Sequence, residues 1–145
     1  MERAEGAGVA ACLLLLVCVG CAPNSDHALM LAREIDAIRH IRDIHTAEVM
    51  HYSLTSKYAT SLAELCGSST GSPSPAAELS GNICSGEDRG YVFTLASSAP
   101  AEGYTIDARP KTPGSSGRWF YYSDQNLLIH KSDKGPANAK SPVLP

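Results

Sequence analysis

Residues 26–52 contain neither glycine nor proline, and everything that reads as sheet comes after them. An uninterrupted stretch of that length is a long helix, and in a small chain the remaining elements must cover one side of it. At about 100° per residue, Ala28, Leu31, Ile35, Ile38, Ile41, Val49 and Tyr52 fall on one broad arc, with Arg33, Asp36, Arg39, His40 and Asp43 on the other. The spacing predicts an amphipathic helix that buries the first set and solvates the second. Asp26 is placed to cap its start by accepting a first-turn backbone N–H.

What precedes the helix reads as an address. Residues 9–20 form an apolar run, short of the roughly 20 residues that span a bilayer but suited to the core of a signal peptide. The preceding charges are poor for that role, because Glu2 and Glu5 outweigh Arg3. The run ends in Leu16-Val17-Cys18-Val19-Gly20-Cys21, which resembles a bacterial lipobox, with Gly20 before the cleavage and Cys21 as the acylated new N-terminus. Cys18 stands where that pattern prefers Leu. An ordinary secretory signal cut near Ala22, or an uncut anchor, is the other reading, and all of them export the chain. Several acyl chains on Cys21 would hold it stably to a membrane where one would not. By the same resemblance, the absence of Asp after Cys21 permits sorting to an outer membrane.

The expected organisation is a signal peptide over 1–20, a lipidated tether over 21–25, one α+β domain over 26–131 and a Pro-rich flexible or draped tail over 132–145. The folding part is near a hundred residues, enough for one modest core. With a net charge of −3 and no basic run, nucleic acid is not an expected partner.

After the helix, Ser61 and Glu64 have capping-box spacing, so a short helix should start near Ser61 and end at Gly67. Residues 68–75, rich in Ser, Gly and Pro, form a loop, and one helical turn is expected over 76–79. Cys66 and Cys84 flank this region; in an exported chain they read most economically as a disulfide. Two free thiols or a metal pair are the alternatives, the latter weak because neither cysteine has a Cys or His at ligand spacing. Alternating runs follow at 91–95, 103–109, 118–122 and 127–130, joined by short turns. They predict an antiparallel meander of three to four strands with one face on the long helix. In the turn 123–126, Asn126 is the residue suited to a left-handed conformation.

This order of parts resembles a known family. Ala37-Ile38-Arg39 with Ile41, Ile44 and Thr46-Ala47-Glu48, then Tyr58-Ala59-Thr60-Ser61-Leu62, Gly90-Tyr91-Val92-Phe93-Thr94-Leu95, Gly103-Tyr104-Thr105-Ile106, the glycine-containing loop 110–117, Phe120-Tyr121-Tyr122-Ser123-Asp124-Gln125 and Gly135-Pro136-Ala137 are similar to the globular part of bacterial type IV pilin-like proteins and type II secretion pseudopilins. The resemblance implies a long helix packed on an antiparallel sheet and a structural role without catalysis. The family's prepilin-peptidase site and apolar stem are not found before the helix, so filament assembly by the usual route is not implied. Leu127 stands where many relatives have Gly. Some pseudopilins bind calcium near the C-terminal loops, but Ser123, Asp124 and Asp133 form no recognisable calcium loop, and that site is not carried over.

Catalytic and metal patterns are weak. No two of His27, His40, His45 and His51 stand three or four residues apart, the spacing of helical ligand pairs, so they read as solvated or interface histidines. Gly114-Ser115-Ser116-Gly117 lacks the nucleophile-elbow spacing and reads as a hairpin loop. Neither a cofactor nor a metal is expected. The one surface candidate is the aromatic run Trp119, Phe120, Tyr121 and Tyr122, half of which should face away from the helix as a binding patch unless the tail or middle loop covers it. The sequence is therefore read as a non-enzymatic, lipid-anchored interaction component of the cell envelope, with protein partners in a pilus or secretion assembly. The competing readings are a small periplasmic ligand-binding domain or enzyme using the aromatic strand and a histidine, and a pseudopilin with a misassigned start.

Overall fold

The structure, a computed structural model, describes residues 25–67, 79, 82–97 and 99–145. The signal peptide, Cys21 and the 68–75 loop lie outside the described residues, as does most of the helical turn expected at 76–79. The domain is α+β. Helix α1 spans Ser25–Thr55, α2 spans Leu62–Leu65, and a short 3₁₀ turn covers Ile83–Ser85. Five strands follow: β1 (Glu87–Asp88), β2 (Tyr91–Ala96), β3 (Thr105–Pro110), β4 (Phe120–Asp124) and β5 (His130–Ser132).

The strands pair in chain order β1-β2-β3-β4-β5, each antiparallel to the next. The three to four expected strands are thus five. The extra one, β1, has only two residues and no period to detect in the sequence. Its register, Asp88 opposite Tyr91, follows from a tight turn at Arg89 and Gly90, both with positive φ. A Cβ on Gly90 would approach Ser116 Cβ to 2.8 Å, so this turn needs glycine both for its backbone and for the loop packed on it.

One sheet face carries Tyr91, Phe93, Leu95, Ile106, Ala108 and Tyr121, all buried. Against it α1 sets Ala37, Ile41, Ile44 and Ala47, at helical spacing. The alanines let the helix approach the sheet closely. Each buried isoleucine stabilises the fold by about 1.5–3 kcal/mol. This is not the face that the apolar arc predicted. Of that arc, Ile41 is fully buried and Ile38 half-buried, whereas Leu31, Ile35 and Val49 are 50%, 54% and 57% exposed. From the predicted solvent arc, Asp36 and His40 are buried. The helix is rotated about its axis relative to the expectation because several of its polar groups find partners on the sheet and loops.

Local chemistry shapes the connections as well. Ser61 caps α2, its Oγ accepting from Glu64 N at 3.2 Å, while Glu64 Oε2 reaches back to Thr60 N at 2.8 Å. Cys66 and Cys84 are joined in a disulfide with Cα atoms 5.8 Å apart, which ties α2 to the turn before β1. Asp26 lies inside the first turn of α1, where its charge favours the helix dipole. The left-handed residue of the β4–β5 turn is Leu127, at φ 64°, and not Asn126. The Asp124 carboxylate accepts from Asn126 N and its carbonyl from Leu127 N; the resulting turn places the bend on the leucine. Residues 133–145 run back along β5, with Lys131 N donating to Pro142 O and Leu144 N to Ile129 O.

Candidate functional site

Two features of α1 stand out: a buried polar seam on its inner side and an exposed aliphatic row on its outer side. The seam begins at Glu34, whose Oε1 accepts from Arg118 N at 2.7 Å. Two residues on, the Asp36 carboxylate is paired with Arg39 and lies 3.2 Å from the Arg89 guanidinium. His40 Nε2 meets Asp88 Oδ2 at 2.8 Å, and its ring stands edge-on to Phe93. Further along, His45 Nδ1 meets the Tyr104 hydroxyl at 2.6 Å and its Nε2 meets Ser123 Oγ at 2.8 Å. Glu48 closes the row, with Oε2 accepting from Ala59 N at 3.0 Å.

The direction of these bonds sets what the seam can do chemically. Ser123 Oγ donates its own hydrogen to Leu128 O, so His45 Nε2–H must donate to Ser123, and Nδ1 accepts from Tyr104 O–H. A general base would accept from the serine instead. Burial pushes His45 down to about 4, against the opposing attraction of Asp124, so the ring is neutral across the physiological range. Burial likewise pushes Glu48 up to about 7; the Ala59 N–H opposes the rise and Glu64 adds to it. Glu48 is fully buried, and its Oε1 has no hydrogen-bond partner. The same desolvation raises the Tyr104 hydroxyl above its usual range. The seam is therefore a set of fasteners that fixes α1 in rotation and register against β1, β4, the residues just before β3 and β4, and the loop after α1.

The aromatic run is divided by the pleat of β4. Tyr121 points into the core and is buried, so it is no part of a surface patch. Phe120 and Tyr122 sit half-buried on the opposite sheet face. Trp119 is half-buried at the edge, with the Arg118 guanidinium 5.0 Å and the Lys131 ammonium 4.8 Å from its ring centroid. A cavity of about 270 Å³ next to Phe120 is lined by Asp107, Arg109, Pro136 and Ala137, so the tail partly covers this face.

His40 and His45 are structural, contrary to the solvated or interface expectation; sequence spacing gave no hint of their partners. Among the described residues, no group of three or more His, Cys, Asp and Glu is placed to hold a metal ion. Nor is any described helix long and apolar enough to cross a membrane. The outer row of α1 comprises Leu31, Ile35 and Val49, flanked by exposed Leu29, Met50 and Leu54. Ala28, Leu31, Ile35, Ile38, Arg42, Val49 and Tyr52 follow alternating three- and four-residue steps, interrupted where His45 turns inward. That is the spacing with which one helix receives another. No family model, no curated protein and no solved structure matches the chain.

Proposed function

We propose that the chain is an exported, lipid-anchored, non-enzymatic domain of pilin-like organisation that docks a helix of an envelope assembly, related to type IV pili or type II secretion, on the outer row of α1. The observation that carries this reading is the exposure of Leu31, Ile35 and Val49 on a helix whose inner side is already filled. Scattered exposed apolar residues need no explanation, but a row at helix-packing spacing is a surface that gains by being covered. The pilin-like resemblance supplies the assembly class, and Cys21, a few residues before α1, supplies the anchor.

In the proposed arrangement acyl chains on Cys21 hold the start of α1 near the membrane, in place of the apolar stem of pilin-like proteins. Arg33 Nη1 donates to Ser115 O at 3.2 Å and so ties that end of α1 to the β3–β4 loop. The polar seam keeps the helix from rolling its aliphatic row inward. Anchor and docking are tested separately. Metabolic labelling with a palmitate analogue should mark the wild type and not Cys21→Ser; equal labelling of both removes the anchor. Purification from solubilised membranes should recover a pilus or secretion component with the wild type and lose it with Ile35→Asp/Val49→Asp. Undiminished recovery by that variant refutes the docking face.

A further inference from the structure

A second surface, independent of the α1 row, lies at the opposite end of the sequence. Trp119, Lys131, Ser132, Asp133, Lys134 and Pro142 are among the residues lining a cleft of about 400 Å³. Its one acidic lining residue, Asp133, is engaged by Arg118 Nη2 at 2.9 Å, and that bond holds its carboxyl below the usual range. Among the described residues neither Lys131 nor Lys134 makes a salt bridge to a carboxylate, although the Lys134 charge adds to the lowering of Asp133. The imbalance extends beyond the cleft: from residue 118 onward the cations are Arg118, Lys131, Lys134 and Lys140 and the acids only Asp124 and Asp133, in a chain whose net charge is −3.

We infer that this cleft is a docking site for an acidic peptide segment of a partner protein, with side-chain carboxylates on Lys131 and Lys134 and aliphatic stems against the edge of Trp119. Three features favour that occupant. The cleft is rich in donors, and its own acid is already neutralised. The aromatic edge and Pro142 give it an apolar floor, against which a peptide buries methylene groups that a free inorganic anion lacks. The tail backbone that forms one wall is fixed by its bonds to β5, Lys131 N to Pro142 O among them, so the site is preformed and loses little entropy on binding.

The chain holds a single tryptophan, so Trp119 reports directly on the cleft. The full-length protein in detergent is titrated with a ten-residue Glu-Gly repeat peptide, with its Gln-Gly counterpart and with a sulfated oligosaccharide. A saturable change in tryptophan emission is expected with the Glu-Gly peptide and not with the Gln-Gly peptide. It should weaken about tenfold in Lys131→Gln/Lys134→Gln, the equivalent of about 1.4 kcal/mol, and also on raising the salt from 50 to 500 mM. Lys134 is exposed and Lys131 half-buried against Trp119, and unchanged thermal unfolding of the double variant confirms that its fold is intact. An equal response to the Gln-Gly peptide, undiminished binding by the double variant, or a response confined to the oligosaccharide overturns the proposal. Because neither lysine touches the outer row of α1, loss of this binding leaves the docking reading of α1 intact, and the converse holds.

Discussion

The buried pair His45 and Glu48 makes a prediction that can be worked through from the structure. Glu48 has an ordinary value of 4.5 and is held at about 7 in the fold. As pH rises from 4.5 to about 7, the unfolded chain gives up a proton that the folded chain keeps, so Glu48 costs stability over that window. The gap corresponds to about 3 kcal/mol, fully present as a loss above pH 7. His45 works in the other direction: as pH falls from 6.5 to about 4, the unfolded chain takes up a proton that the folded chain refuses. That loss is also about 3 kcal/mol, complete below about pH 4. Between about pH 4.5 and 6.5 the two slopes oppose each other, and the wild type hides both. Glu48→Gln separates them, because Gln keeps an oxygen to accept from Ala59 N and does not titrate. In urea denaturation at a series of pH values, the stability of Glu48→Gln relative to wild type should rise by about 3 kcal/mol from pH 4.5 to pH 7.5. The variant alone should lose stability steadily from pH 6.5 downward. A difference between the two proteins that is constant across the series refutes the reasoning, since Glu48 would then be ionised, or protonated, equally in both states.

Other perturbations follow from single contacts. Leu127 holds a left-handed backbone while 56% exposed; Leu127→Asn should stabilise the fold by about 1 kcal/mol, read as a higher urea midpoint at an unchanged slope. Asp88→Ala removes the partner of His40 Nε2 and should cost about 1–3 kcal/mol, with the β1 amides losing hydrogen-exchange protection first. Replacing Cys66 and Cys84 together by Ala opens a closed loop with a sequence separation of 18; the chain-entropy model gives a loss of about 3 kcal/mol, measurable as a lowered Tm under non-reducing conditions.

The architecture was legible where local signals are strong. The gap-free run of residues 26–52, the Ser61 cap, the paired cysteines and the alternation at Tyr91 and Ile106 are each decided by neighbours in sequence. The rotation of α1 was not legible, for a physical reason. Apolar residues are spread widely around the helix, so periodicity alone cannot say which row faces the sheet; that is decided by Glu34, His40 and His45, whose partners lie far along the chain, and by Glu48, which is held by the loop just after α1. His45 is the clearest case, because Tyr104, just before β3, and Ser123, in β4, supply its bonds. Strand β1 was missed because two residues carry no period. The alternation of the aromatic run implies that only half of it faces away from the helix, and the pleat does send Tyr121 inward and leave Phe120 and Tyr122 on the other face; which of the four is buried is not legible from a run aromatic on both faces. The same rotation places the aliphatic row outward, and it is this row that now carries the functional proposal.

Photo-crosslinking in living cells tests that proposal most directly. A benzophenone side chain is placed singly at Leu31, Ile35, Val49 and, as a control on the far sheet face, Thr94. The three helix positions should give adducts with one shared envelope component, crosslinked through a helix of that component, and Thr94 should give none. Absence of adducts from all three helix positions, or the same adducts from Thr94, contradicts the assignment of α1 as the docking face.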